Sequence, residues 1–271
     1  MLGLHEKWRT TFIESWPDEV VALGFPMEQV TLSEQDRLAI GGRTQGFREL
    51  FKLDEILDFT NDFRRAVDEK IAVFPSGAHV RLGGCSFKKP GHYQKKAAFS
   101  SGELAPYILQ QNPRVAGLLA SSLHSKFDVG LFVRPWHDIP QWAEFRLFMK
   151  ARASIGASQY FHTALFPEIE ENARAIAATL VDFADEFLTV SHLDDAIVDV
   201  FVEQDTKGDW RAVLLDINPL IRRSDACLFR WENEGDFDSG LRFRGRDGRV
   251  LSMAPLPFTR GSCTGNEKKR T

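Results

Sequence analysis

Three oxygen-bearing side chains in the C-terminal third of the chain have the types and spacing for chemistry. They are Asp199, within Ile197-Val198-Asp199-Val200-Phe201-Val202, and Asp216 and Asn218, within Leu215-Asp216-Ile217-Asn218-Pro219. Each stands where an apolar run meets polar sequence. A carboxylate in apolar surroundings is costly unless it is paired or bound to a metal. Two carboxylates and an amide on adjacent segments are a donor set for a hard cation such as Mg²⁺, which favours oxygen ligands and often brings a nucleotide phosphate with it. Asp-x-Asn-Pro is also a common way to end a strand in a turn. Spacing alone leaves both readings open: a cation site and a capped strand end.

The elements that must position these residues are short strands. Residues 197–202 and 213–217 are runs of β-branched, apolar and aromatic residues, separated by Asp205-Thr206-Lys207-Gly208-Asp209, which has turn composition. An antiparallel hairpin is expected. Side chains alternate along a strand, so Asp216 and Asn218 share a face and Ile217 takes the other. Upstream, strands are expected at 79–82, 129–134, 143–149 and 153–159. Residues 135–140, Pro-Trp-His-Asp-Ile-Pro, separate two of them like a hinge. Leu53, Ile56, Leu57, Phe63, Val67 and Ile71 recur at helical spacing and predict a helix over 53–71. A second helical region, 103–124, is interrupted at Asn112-Pro113. The longest helix is expected over 167–188, with Pro167 and Glu168 in its first turn and Ile169, Ala173, Ile176, Leu180, Phe183 and Phe187 as its apolar stripe.

With 271 residues, 43% hydrophobic and 27% charged, the sequence can bury a sizeable core as one large or two small domains. No apolar stretch approaches 18 residues and the first residues lack a signal-peptide core, so a cytosolic protein with no membrane contact is expected. Three scattered cysteines, Cys85, Cys227 and Cys263, make neither a disulfide framework nor a zinc pattern. The net charge of −4 argues against a protein that coats nucleic acid. Basic residues are nevertheless clustered. Residues 81–102 hold Arg81, Lys88, Lys89, Lys95 and Lys96 with no acid, and 241–250 hold Arg242, Arg244, Arg246 and Arg249 against Asp247 alone.

Gly83, Gly84, Ser86, Lys88 and Lys89 could form a flexible, cationic phosphate loop, or a solvated hairpin turn; the stretch lacks both common glycine-rich phosphate fingerprints. The seven histidines show no metal-ligand spacing, though His92 within the basic loop could act as an acid or base. No nucleophile-and-base arrangement stands out. Trp8, Phe12 and Trp16 are either an apolar docking patch or part of the core.

Six blocks in order, Val133-Arg134-Pro135-Trp136, Glu144-Phe145-Arg146-Leu147-Phe148, Ser158-Gln159-Tyr160, Val198-Asp199-Val200, Leu215-Asp216-Ile217-Asn218-Pro219 and Leu228-Phe229-x-Trp231-Glu232, resemble the signature blocks of the D123 family across residues 74–232. The resemblance implies an α+β ATP-grasp fold in which ATP and Mg²⁺ lie between two lobes. Residues 1–134 would form an N-terminal region and phosphate-loop lobe, 135–260 the lobe with the metal site, and 261–271 a flexible tail. It implies Asp199, Asp216 and Asn218 as metal ligands. Arg81, Ser86, Lys88, Val133, Arg134, Trp136, Glu144 and Arg146 would surround the nucleotide, the 132–136 backbone meeting adenine, with Arg81, Lys88 and Arg146 acting on the phosphates. At Arg81 the family more often has lysine. ATP-grasp enzymes generally form an acyl phosphate, which needs charge neutralisation and positioning rather than a side-chain nucleophile. The expectation is an ATP-dependent ligase of a compact, bacterial type. Its favoured substrate is RNA ends, on account of the two basic stretches and Arg222-Arg223, with a protein or small-molecule acceptor as in carboxylate-amine ligases next. The alternative is the role of eukaryotic family members, an ATP-binding assembly chaperone for a translation initiation factor.

Overall fold

Two β-sheets, each backed by its own helices, organise the chain in the computed structural model, which describes residues 8–87, 111–232 and 235–253. After a short helix α1 (Asp18–Val21), the first sheet takes β1 (Glu28–Thr31), β2 (Ala78–Leu82), β3 (Cys85–Ser86) and β4 (Gly130–Pro135) in the order β1-β4-β2-β3, all neighbours antiparallel. Helices α2 (Glu34–Gly41), α3 (Gln45–Phe51), α4 (Asn61–Ala72) and α5 (Pro113–Ser125) belong to this half. The second sheet contains β5 (Glu144–Lys150), β6 (Ala153–Gln159), β7 (Ala196–Gln204), β8 (Trp210–Asn218), β9 (Leu241–Arg244) and β10 (Val250–Met253) in the order β10-β9-β6-β5-β7-β8. Only β6 and β9 pair in parallel among these neighbours. The α+β class and the two lobes agree with the expectation. No helix among the described residues is long and apolar enough to cross a membrane.

The second sheet is buried on both faces at its centre, which is why β7 reads as an almost unbroken apolar run. On one face Phe145, Leu147 and Met149 of β5 and Val198, Val200 and Val202 of β7 meet α6 (Pro167–Val190) through Ile169, Ile176, Leu180, Phe183 and Phe187. Each of these large side chains contributes on the order of 1.5–3 kcal/mol by leaving water. The opposite face carries Arg146 and Phe148 of β5 beside Asp199 and Ile197 of β7. Phe148 and Ile197 are covered by Ala226 and Phe229, so this face is apolar at one end and charged at the other.

One helix starts later than expected, and another begins at the interruption that the sequence shows. Helix α4 starts at Asn61, not near Leu53, because Thr60 Oγ1 accepts from Phe63 N and caps it. Buried Asp36 holds that cap in place by accepting from Thr60 N at 2.9 Å, and Ile56 is left exposed. Helix α5 starts at Pro113, capped by Asn112, whose side chain accepts from Arg114 N and Val115 N; residues 103–110 lie outside the described residues. The assignment of 1–134 to one lobe needs a refinement as well. Phe12 packs in the first core, but Ile13, Trp16 and Val20 pack in the second, and Leu214 N of β8 donates to Leu23 O. The segment before β1 spans both lobes. Trp8 remains half-exposed, whereas Phe12 and Trp16 are core residues. The expected tail, 261–271, lies outside the described residues.

Candidate functional site

Asp199 and Asp216 are cross-strand partners on β7 and β8, and Arg146 of β5 faces Asp199 from the other side. Arg146 donates to Asp199 twice, Nε to Oδ1 at 2.7 Å and Nη2 to Oδ2 at 2.8 Å, the bidentate geometry of the strongest guanidinium–carboxylate pairs. Its third nitrogen donates to Asp225 O at 2.9 Å, and its guanidinium carbon lies 4.9 Å from the centre of the Tyr160 ring. Burial works against the Arg146 charge, but Asp199, by charge and by hydrogen bond, overcomes it and holds the guanidinium pKa above its ordinary value. Asn218 Nδ2 donates to Asp199 Oδ2 at 3.3 Å. Ile217 is buried between Asp216 and Asn218, as strand alternation requires.

A β-bulge makes the rest of the site. Asp199 pairs with Asp216 but Val200 pairs with Leu214, so Leu215 is the extra residue on β8. Its carbonyl, out of the ladder with β7, accepts from Arg134 Nη1 at 3.0 Å and Arg81 Nη1 at 3.4 Å, both from the first sheet. Arg81 is 2% exposed and donates through Nη2 to Asp216 Oδ1 at 2.8 Å. Arg134 Nε donates to His79 Nδ1 at 3.3 Å, across a cross-strand pair of β2 and β4. The two lobes thus meet through arginines of one and the bulged strand of the other.

Between the lobes lies a cleft of about 420 Å³ lined by Arg81, Ser86, Arg134, Glu144, Arg146, Asp199, Asp216 and Asn218, with His79, Arg114, Tyr160, Arg223 and Asp225. Eight of the expected site residues are therefore brought together. Two are not. Val133 is fully buried in the first core and its backbone is paired on both sides, to Glu28 and to Val80, so it offers no free edge to a ligand. Trp136 packs against the first core and its N–H donates to Gly77 O; from the inter-lobe segment it is Ile139 that lines the cleft. Lys88 and His92 lie outside the described residues. Nothing local in the sequence distinguishes Arg114; Asn112-Pro113, which starts its helix, is the available signal.

The donor set suits a hard cation and a polyphosphate: two carboxylates and an amide for Mg²⁺, ringed by guanidinium groups for phosphate oxygens. Both carboxylates already face an arginine, so a cation entering here would share or exchange those partners.

Gly83 and Gly84 form the β2–β3 turn rather than an open phosphate loop. A Cβ on Gly83 would overlap the Glu14 carboxylate, and one on Gly84 would lie 2.7 Å from the Phe12 ring, so both glycines admit the N-terminal segment. Burial pushes the Cys85 thiol up to about 11 and the Cys227 thiol up to about 12.

A two-lobed α+β protein with a carboxylate- and arginine-lined cleft is thus defined. Comparison with known proteins agrees: residues 115–239 match the D123 family model. The "Translation initiation factor eIF2 assembly protein" of Lodderomyces elongisporus is 33% identical over 114 residues, covering 39% of this chain and 28% of that protein. The protein of the same name from Xenopus tropicalis is 32% identical over 104 residues, covering 38% and 30%. The matches span less than a third of these relatives' length. The solved structure of Cdc123 from Schizosaccharomyces pombe has the same fold, with a TM-score of 0.67, 17% identity, and coverage of 86% of this chain and 93% of that one. The resemblance to the D123 family is supported by the family model, the relatives' names and the shared fold, the family match beginning later than residue 74.

These relatives correct the expectation of an ATP-dependent ligase joining RNA ends. They are named as assembly proteins, and they are eukaryotic, which lends no support to a bacterial type. The arginines behind the RNA reading also have other partners. Arg242 pairs with Asp236 and Asp238, Arg246 with Glu171 and Arg249 with Asp247, while Arg244 donates to the carbonyls of His162 and Gly248. Arg81 pairs with Asp216 inside the cleft.

Proposed function

We propose that this chain is a D123-family protein that binds ATP with Mg²⁺ in the inter-lobe cleft and acts in the cytoplasm as an assembly factor for a translation initiation factor. The observation that carries the reading is the convergence of Asp199, Asp216 and Asn218 with Arg81, Arg134 and Arg146 at one cleft, largely within the stretch that matches the family. In this reading Asp199, Asp216 and Asn218 hold the cation. Arg81, Arg134 and Arg146, with Ser86, hold the phosphates, and Glu144 lies at the nucleotide's edge. Mg²⁺ would neutralise phosphate charge and fix the phosphate chain; the arginines orient it. Arg81 and Arg134 come from one sheet and the Leu215 carbonyl from the other, so a ligand that engages these arginines acts on the contact between the lobes. That is a route by which nucleotide could change the surface offered to a protein partner. The partner class is taken from the relatives' names, eIF2 assembly protein.

The test is calorimetric titration of the full chain with ATP, with and without Mg²⁺, followed by co-purification with eIF2 subunits. Mg²⁺-dependent binding is expected, weakened at least about tenfold in Asp216→Asn, together with a complex that the nucleotide strengthens. The nucleotide reading is overturned if ATP binds equally without Mg²⁺ or to Asp216→Asn, and the partner reading if no eIF2 subunit is retained.

A further inference from the structure

The cleft has a second set of ligand atoms at its rim, of different chemistry from the oxygen donors at its centre. His162 Nδ1, a carboxylate oxygen of Asp225 and Cys227 Sγ all lie within 4.8 Å of one another. We propose that these three residues bind a zinc ion, with its fourth position open.

Donor chemistry separates this site from a magnesium site. Imidazole, thiolate and carboxylate together are a zinc set, whereas Mg²⁺ takes oxygen ligands. The charges balance: Cys227 gives up its thiol proton to solvent on binding, and thiolate plus carboxylate then offset the two charges of the ion with His162 neutral. A coordinating thiol is deprotonated by the metal whatever its affinity for protons beforehand. The spacing agrees with one ion. With bonds of about 2.0–2.3 Å, the edges of a zinc tetrahedron measure about 3.3–3.8 Å. His162 Nδ1 and Asp225 Oδ2 are 3.9 Å apart, too far for a hydrogen bond and close to such an edge.

The scaffold divides labour among the atoms of these residues. Asp225 Oδ1 accepts from Cys227 N at 2.8 Å, which leaves Oδ2 on the side of His162. That hydrogen bond also accompanies Cys227 in a left-handed conformation, φ 54°, uncommon for a residue with a Cβ. Two arginines hold the backbone: Arg146 Nη1 donates to Asp225 O at 2.9 Å, and Arg244 Nε donates to His162 O at 2.5 Å; the Arg146 guanidinium also faces the Cys227 thiol. Asp225 is both a member of this cluster and part of the cleft lining, so the cluster adjoins the cleft through Asp225.

The site stands apart from the nucleotide reading and is tested without nucleotide. The full chain, freed of metal with a chelator, is titrated with Zn²⁺ and with Co²⁺ as a spectroscopic probe in the presence of excess Mg²⁺. One ion per chain is expected, with a thiolate-to-cobalt charge-transfer band and tetrahedral visible bands. Zn²⁺ should also raise the Tm. Cys227→Ser should lose the charge-transfer band while Cys263→Ser keeps it, and His162→Ala should weaken binding on the order of 10–100-fold. Asp225→Asn, on a mostly exposed side chain that the fold tolerates, should weaken it likewise. A cobalt spectrum without the thiolate band, one unchanged in Cys227→Ser, or equal Zn²⁺ affinity in Asp225→Asn overturns the proposal. ATP titrated into the Cys227→Ser variant separates the two sites, since loss of zinc there leaves the Asp216-dependent nucleotide site testable.

Discussion

Arg146 and Asp199 face each other across β5 and β7 in a bidentate pair of 2.7 and 2.8 Å, and their side chains are 8% and 10% exposed. Two charges so far from water are held by each other, and removing one strands the other. Asp199→Ala should destabilise the protein by about 3–5 kcal/mol, whereas the double variant Arg146→Met with Asp199→Leu should lose clearly less, because no lone charge remains. Urea unfolding of the three proteins measures this. Equal losses in the single and double variants would mean that the pair is not the source of the cost.

The strands and the long helix α6 were legible because their signals are local: runs of β-branched residues, a turn at 205–209, and an apolar stripe from Ile169 to Phe187. The faces of Asp216, Ile217 and Asn218 followed from alternation alone. Which charges meet was not legible. Arg146 and Asp199 are 53 residues apart and Arg81 and Asp216 are 135 apart, so both contacts depend on sheet register and lobe docking. The start of α4 was hidden for a related reason. Leu53, Ile56 and Leu57 continue the helical spacing, but Asp36, 24 residues before Thr60, fixes the cap. The arginines of 242–249 looked like a phosphate-binding patch because the partners of Arg242, Asp236 and Asp238, stand just upstream of the basic stretch, and because Glu171, the partner of Arg246, comes from near the start of α6.

Gly83 marks a close approach, not a flexible loop. Gly83→Ala would push its Cβ into the Glu14 carboxylate, which accepts from Gly130 N at 2.6 Å, and loss of that contact should cost about 1–3 kcal/mol. At Gly117 in α5 an added Cβ would meet no atom within 4 Å among the described residues beyond its chain neighbours and its own helix backbone, so Gly117→Ala should instead stabilise by roughly 0.5–1 kcal/mol. Thermal unfolding compares the two; the same sign of effect at both positions would refute the assignment of Gly83.

Arg242 ties β9 to the segment that covers Phe148. It donates to Asp236 Oδ2 at 2.9 Å, to Asp238 Oδ2 at 3.0 Å and to Leu228 O at 3.2 Å, and its guanidinium carbon lies 4.2 Å from the Phe229 ring centre. Arg242→Ala should cost about 2–3 kcal/mol in chemical denaturation, from charged hydrogen bonds and lost packing. Because Arg242 is outside the cleft lining, its ATP affinity should match that of the parent protein. A loss of ATP binding without loss of stability would assign Arg242 to the ligand instead.

Glu14 gives a pH dependence whose sign can be worked out. Its carboxyl end is tucked against Gly83 and Gly130 at the β2–β3 turn, although the residue as a whole is exposed. Burial of that end raises its pKa above 4.5 by more than the hydrogen bonds from Gly130 N and its own backbone, and the charge of Arg81, lower it. A carboxyl whose folded pKa is raised contributes stability in full below its unfolded pKa, and that contribution is lost as pH rises through the folded value. Glu14→Gln cannot ionise, so the Tm of the parent protein minus that of Glu14→Gln should fall from about pH 4 to about pH 7. Taking the difference at each pH removes the constant effect of exchanging oxygen for an amide. A difference that stays level or rises over this interval would show that the hydrogen bonds, not burial, dominate at Glu14.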